Sequence, residues 1–222
     1  MGDDAERLLV TRRLLLRLGL LLPVPLLSAC PAAAGTTTGA AIDVTSGAPT
    51  ADGTSGPVPP TPECHDGDKP TVARDAGPYF TPGSPERSDL RTAGVTGTPL
   101  TVAGLVVDTR CRPVGRALLD FWQADARGDY DNDGFRLRGH QYSGADGTFR
   151  LETIVPGAYG SRTRHLHVKV QAPGGPVLTT QLYFPGEARN AADDLFDDRL
   201  VMRVRDGGGQ RQAGFLFVLT SR

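Results

Sequence analysis

The stretch SRTRHLHVKV, residues 161–170, holds two of the four histidines in the chain, one residue apart. From residue 165 onward it alternates: His165, His167 and Lys169 take every other position, with Leu166, Val168 and Val170 between them. Successive side chains of a β-strand point to opposite faces. The alternation therefore predicts a strand with one aliphatic face turned to a core and a second face that presents two imidazoles.

The same pattern recurs on both sides of this stretch. LTVAGLVVD, ALLDFWQ, TFRLETI, VLTTQLYF, LVMRV and GFLFVL are apolar or alternating runs of ordinary strand length. TRCRPVG, GADG, PGAYGS and APGGP fall between them and carry turn chemistry. Beyond a short turn near NAADDLFDD no helix-length amphipathic pattern interrupts the series, and 28 Gly and 18 Pro suit a turn-rich protein. The predicted fold class is all-β, a β-sandwich of mostly antiparallel strands with long functional loops. With 222 residues, 39% of them hydrophobic, the chain can bury one good core rather than two. A formal net charge of -1 with no basic cluster outside the N-terminus gives no footprint for a phosphate backbone, so nucleic acid is not an expected partner.

Residues 1–30 read as an export signal. TRRLLLRLGLLLPVPLLSAC, residues 11–30, opens on Arg12 and Arg13, continues as an apolar run and ends in small residues before Cys30. Arg17, Pro23 and Pro25 interrupt the run, which is short for a permanent membrane helix, the competing reading. The segment resembles a twin-arginine signal, and LSAC resembles a bacterial lipobox whose cysteine becomes lipidated. This makes Cys30 the lipidation candidate, and the expected location is the cell envelope, outside the cytoplasm, with a membrane contact through an N-terminal lipid anchor. Residues 31–62, low in charge and rich in Gly, Ala, Thr, Ser and Pro, read as a flexible tether. Residues 63–222 are the expected folded domain. Cys64 and Cys111, both among polar and turn-forming residues, are disulfide candidates in an oxidising compartment; two free thiols are the alternative.

Three readings are open for His165 and His167: surface residues, a hydrogen-bonded pair, or metal ligands. No cysteine or carboxylate cluster lies near them in sequence, but two tyrosines do lie where strands give way to loops: Tyr159, six residues earlier, and Tyr130 in ADARGDYDND. A phenolate is a hard anionic donor that needs a strongly Lewis-acidic cation to stay deprotonated far below its free pKa of about 10. Ferric iron meets that need best.

Several motifs occur in the order seen in one family: GPYF (residues 77–80), RSDL (87–90), DFWQADARGDY (120–130), LRG (137–139), DGTFRLETIVPGAY (146–159), RTRHLH (162–167) and LTTQLYF (178–184). Over roughly residues 62–204 the chain resembles the intradiol ring-cleavage dioxygenases, β-sandwich enzymes that carry one non-haem Fe(III) per chain. The resemblance implies Tyr130, Tyr159, His165 and His167 as iron ligands. It makes Arg162 the arginine that faces the substrate, Gln181 the polar group beside it, and Pro78 and Tyr79 the segment over the pocket mouth. It also implies the reaction: a catechol-type substrate and O2 give a muconate-type dicarboxylate, with Tyr159 accepting a proton and Arg162 stabilising charge on the ring. Two features depart from the family: the Tyr159 to His165 loop is short, and the helical dimerisation segment has no counterpart, which leaves the oligomeric state open.

The same residues admit rival readings. DYDNDG, residues 129–134, begins like a calcium loop, but the position that needs a bidentate Glu is His140. No Ser/His/Asp set with a nucleophile turn is apparent. A cell-surface β-sandwich that binds a ligand without turnover is the alternative function. Trp122 is expected in the core with its N–H bonded locally, and His65 and His140 facing solvent.

Overall fold

A computed structural model describes residues 60–220. The export signal, Cys30 and nearly all of the tether lie outside the described residues. Eight strands account for the described fold: β1 (Pro99–Asp108), β2 (Leu118–Trp122), β3 (Arg138–Tyr142), β4 (Thr148–Ile154), β5 (His165–Gln171), β6 (Val177–Tyr183), β7 (Arg203–Gly207) and β8 (Gln210–Leu219). They form two four-stranded sheets, in the orders β4-β1-β8-β7 and β3-β2-β5-β6. Every neighbouring pair is antiparallel except β1 and β8, which run parallel from Leu100 opposite Arg211 to Asp108 opposite Leu219.

Alternation in the strands builds the core between the sheets. Val102 and Val106 of β1, Leu151 of β4, and Phe215 and Phe217 of β8 face Leu119 and Phe121 of β2, Leu166, Val168 and Val170 of β5, and Leu182 of β6, all buried in one cluster. Phe121 meets Phe149 across the gap with ring centroids 6.2 Å apart. Each fully buried Leu, Val or Phe side chain contributes about 1.5–3 kcal/mol from apolar surface removed from water, which commits the aliphatic face of β5 to the interior. Cys64 and Cys111 are joined with Cα atoms 5.7 Å apart, and this tie holds the segment before the sandwich to the β1–β2 turn, where Gly67 N–H donates to the Thr109 carbonyl.

The structure corrects the expected strand set at two points. LVMRV is not one strand: Asp197 caps a 3-10 turn over Asp198–Leu200, accepting from Arg199 N–H, and pairing begins only at Arg203. In addition β3, whose sequence RGHQY has no apolar alternation, pairs along the whole of β2. The short turn expected near NAADDLFDD is present as a 3-10 turn over Asn190–Ala192.

Candidate active site

Strand register sets the site. Arg138 of β3 stands opposite Trp122 of β2, Trp122 opposite His167 of β5, and His167 opposite Gln181 of β6. Residues opposite one another share a sheet face, so these four side chains form a row on the face away from the core. Two residues along β5, His165 stands opposite Tyr183. The imidazoles face away from the core as the alternation predicts, yet they are buried, at 4% exposure for His165 and 3% for His167. Trp122 lies flat on His167, with centroids 4.7 Å apart and planes 7° apart, and Phe80 meets Trp122 edge-on. Trp122 is therefore buried against the site rather than in the core, and its Nε1 has no partner, contrary to the expected local bond.

A hydrogen bond fixes the tautomer of His165, while the buried Nδ1 of His167 has no hydrogen-bond partner among the described residues. His165 Nδ1 lies 2.7 Å from the Thr163 carbonyl, which can only accept, so Nδ1 carries the proton and Nε2 carries a lone pair. His165 Nε2 and His167 Nε2 approach to 3.0 Å. Burial pushes the His165 pKa down to about 4 and His167 well below its ordinary 6.5, with the neighbouring cations Arg162, Arg138 and Lys169 adding to the effect on His167. Both rings are neutral at pH 7, the form that ligates metal.

Three phenols cluster together, and one of them, Tyr130, reaches His167. Tyr130 lies with its ring centroid 6.2 Å from His167 and 5.7 Å from Tyr159, and Tyr79 stacks on Tyr130 at 4.5 Å. The hydroxyls of Tyr79 and Tyr159 are 2.5 Å apart. Burial pushes the Tyr130 phenol above its ordinary 10, so no phenolate forms there without a nearby positive charge. Pro78 precedes Tyr79 on the segment that crosses His167: a Cβ on Gly77 would sit 3.7 Å from His167 Cε1.

Among the described residues no three His, Cys, Asp or Glu side chains gather as a metal-binding group. The oxygen donors beside the two imidazoles are therefore phenols. Two imidazole nitrogens 3.0 Å apart, with phenols as the neighbouring oxygen donors, suit a hard, highly charged cation.

Arg162 is held on two edges. Its Nε donates to both oxygens of Asp193, at 2.7 and 2.9 Å, and its Nη2 donates to Gln181 Oε1 at 2.5 Å and to the Tyr183 hydroxyl at 3.2 Å. Gln181 is fully buried and its Nε2 donates to the Asp75 carbonyl, so it anchors Arg162 and the segment leading to Tyr79. Sequence reasoning missed Arg138, which is 1% exposed: Nη1 donates to the Tyr79 carbonyl at 2.5 Å, and Nε and Nη2 donate to the Asp131 carbonyl at 3.0 and 2.6 Å. It ties the Tyr130 loop to the Tyr79 segment, a role its place in the LRG motif did not reveal. Asp193 was missed as well, with no signal beyond an acidic stretch.

The remaining expectations fall outside this cluster. The Asp131 carboxylate is taken up by the backbone N–H groups of Asp133, Gly134 and Arg136, so the calcium-like loop closes on itself. His65 is exposed, but His140 is half-buried and its Nδ1 lies 2.7 Å from the Ser84 carbonyl rather than in solvent.

A family model described as Dioxygenase matches residues 76–208. Hydroxyquinol 1,2-dioxygenase of Nocardioides simplex is 33% identical over 160 residues, covering 61% of this chain and 53% of that protein. The chain spans about half the length of such curated relatives. Among solved structures, the dioxygenase domain of a dioxygenase carbohydrate-binding protein fusion from Streptomyces sp. SirexAA-E is 58% identical, with TM-score 0.68 over 69% of this chain and 100% of that one. 3-Chlorocatechol 1,2-dioxygenase from Rhodococcus opacus 1CP is 30% identical, with TM-score 0.64 over 69% of this chain and 73% of that one.

Proposed function

The chain belongs to the intradiol ring-cleavage dioxygenase family, and from that premise we propose that it is a non-haem Fe(III) enzyme that inserts both atoms of O2 into a catechol-type ring to give a muconate-type dicarboxylate. The observation that carries the reading is the convergence of two buried, neutral imidazoles, Nε2 to Nε2 at 3.0 Å, beside Tyr130, which Tyr159 meets edge-on. In this reading His165, His167, Tyr130 and Tyr159 hold one Fe(III). When bound, that ion supplies the Lewis acidity that keeps the phenols and the substrate hydroxyls deprotonated and lets the ring give electron density to O2.

The protein residues do the rest. Tyr130 and Tyr159, as phenolates, supply the negative charge that balances the cation among Arg138, Arg162 and Lys169. As a phenolate, Tyr159 can take a proton released by the substrate, becoming a neutral phenol whose oxygen stays 2.5 Å from the Tyr79 hydroxyl. Arg162, fixed by Asp193 and Gln181, offers a preorganised cation where negative charge builds on the ring. Pro78 and Tyr79 cover the site, and Phe80 and Trp122 keep water from the His167 side.

Location belongs to the same proposal. The paired arginines, apolar run and LSAC of residues 11–30 support export and lipid anchoring at Cys30, with aromatic substrate met outside the cytoplasm.

The test is turnover of catechol or hydroxyquinol under 18O2. One O2 consumed per ring opened and two labelled oxygens in an acyclic dicarboxylate are expected. Substrate bound to iron-loaded protein with no oxygen consumed would instead favour the binding module without turnover.

A further inference from the structure

Five residues separate Tyr159 from His165, and the segment that contains Asn190 and Asp193 grips them from one side. The Asp193 side chain has 0% exposure. Its Oδ1 accepts from Arg162 Nε at 2.7 Å and from Leu195 N–H at 3.0 Å, and its Oδ2 accepts from the same Nε at 2.9 Å and from Thr163 N–H at 2.9 Å. Asn190 Oδ1 accepts the Thr163 hydroxyl at 2.8 Å, while its Nδ2 donates to the Phe184 carbonyl. Thr163 then offers its own carbonyl to His165 Nδ1.

We propose that Asp193 is the positioning residue of this site: one buried carboxylate orients the Arg162 guanidinium and, through Thr163, the His165 imidazole. The inference rests on the dioxygenase reading for the roles of those two side chains. The physics is that of a planar fork. Gln181 and Tyr183 hold Nη2 and Asp193 holds Nε, so two edges define the guanidinium plane. With Nε released, the guanidinium can pivot about the Gln181 contact. On the other arm, the Thr163 carbonyl selects the His165 tautomer that leaves Nε2 free, and partners of this kind typically change metal affinity or activity by 10–100-fold when lost. Burial alone would raise the Asp193 carboxyl, but the bonds from Arg162, Leu195 and Thr163 overcome it and hold the carboxyl below 3.8, so a carboxylate stands there at neutral pH.

Asp193→Asn keeps the shape and turns an amide NH2 against either the Thr163 or the Leu195 N–H. Two readouts are taken on the full chain. In metal-free protein, 15N NMR reads the Arg162 Nε–H and the His165 tautomer. Wild type is expected to give an Nε–H signal protected from solvent exchange and a His165 protonated at Nδ1, and Asp193→Asn to lose the first and mix the tautomers. In iron-loaded protein, kcat/KM for catechol falls at least tenfold, and in an Arg162→Ala background the same substitution costs less than half as much on a logarithmic scale. Asp206→Asn, near the exposed end of β7, serves as the control that leaves both readouts unchanged. A folded Asp193→Asn with unchanged NMR signals and kcat/KM within twofold overturns the proposal, as does an equal cost in the Arg162→Ala background. If the variant does not fold, the wild-type signals decide: an Arg162 Nε–H that exchanges like free arginine overturns it. Wild type that shows the NMR signature but neither holds iron nor cleaves catechol would sink the dioxygenase reading and leave the Asp193 geometry standing.

Discussion

Gly128→Ala is the perturbation whose cost follows most directly from the structure. Gly128 lies two residues before Tyr130 at φ +99°, and a Cβ there would stand 2.3 Å from the Ala158 carbonyl oxygen and 3.2 Å from its carbon. Ala158 immediately precedes Tyr159, so this contact joins the loops that carry the two phenols. The joint is reinforced at the Asp125 carbonyl, which accepts from Gly128 N–H at 3.1 Å and Gly157 N–H at 2.7 Å. Positive φ costs an L residue about 1–2 kcal/mol. Moving backbone aside to admit the methyl costs about 1–3 kcal/mol more. The substitution should therefore remove about 3 kcal/mol and lower Tm by about 6–12 °C in a domain of this size. Thermal unfolding of the metal-free protein by circular dichroism measures this. In the iron-loaded protein the same methyl pushes Tyr130 away from Tyr159, so folded Gly128→Ala should bind iron more weakly and colour less per iron. A variant that melts within 2 °C of wild type and takes up iron normally would refute the reasoning that these loops are locked together at Gly128.

Three further outcomes are expected. Replacing Cys64 and Cys111 by Ser opens a link across 47 residues and should cost about 4 kcal/mol by the chain-entropy relation, read as a shift in the urea midpoint without a change of fold. Leu166→Ala, on the core face between the two histidines, should cost about 2–5 kcal/mol in the same assay. The bonds from Arg199, with Arg74 on its other side, lower the Asp197 carboxyl from 3.8 to about 2, so its contribution is full above about pH 4 and is lost as pH falls toward 2. The stability gap between wild type and Asp197→Asn, followed by urea unfolding, should narrow over that window; a gap constant from pH 6 to pH 2 would exclude the pairing.

Most of the architecture can be read from periodicity, because alternation is the physical consequence of burying one sheet face. β5 states it most plainly, and β1, β2, β4 and β6 follow with ends that differ by a residue or so. Where other forces outweigh the pattern, the sequence misleads. In β3 the charge of Arg138 reads as solvent exposure, whereas it is buried because two backbone carbonyls from distant loops satisfy it. At Leu200 an apolar run reads as strand, whereas the Asp197 cap bends it into a 3-10 turn. In the site, His165, His167, Tyr130 and Tyr159 were legible from residue type and order and fall in one cluster. Asp193 was not, since its importance comes from a fold-back that brings residue 193 against residues 162 and 163. Trp122 reads as a core residue by its size, whereas the alternation of β2 sets it with Asp120 on the face opposite Leu119 and Phe121.

The visible absorption spectrum of the purified full chain, recorded with metal analysis before and after anaerobic catechol, tests the central claim most directly. The account predicts about one iron per chain and a broad tyrosinate-to-Fe(III) band that shifts with catechol and is lost in Tyr130→Phe and Tyr159→Phe. A colourless protein that takes up no iron on reconstitution would contradict it.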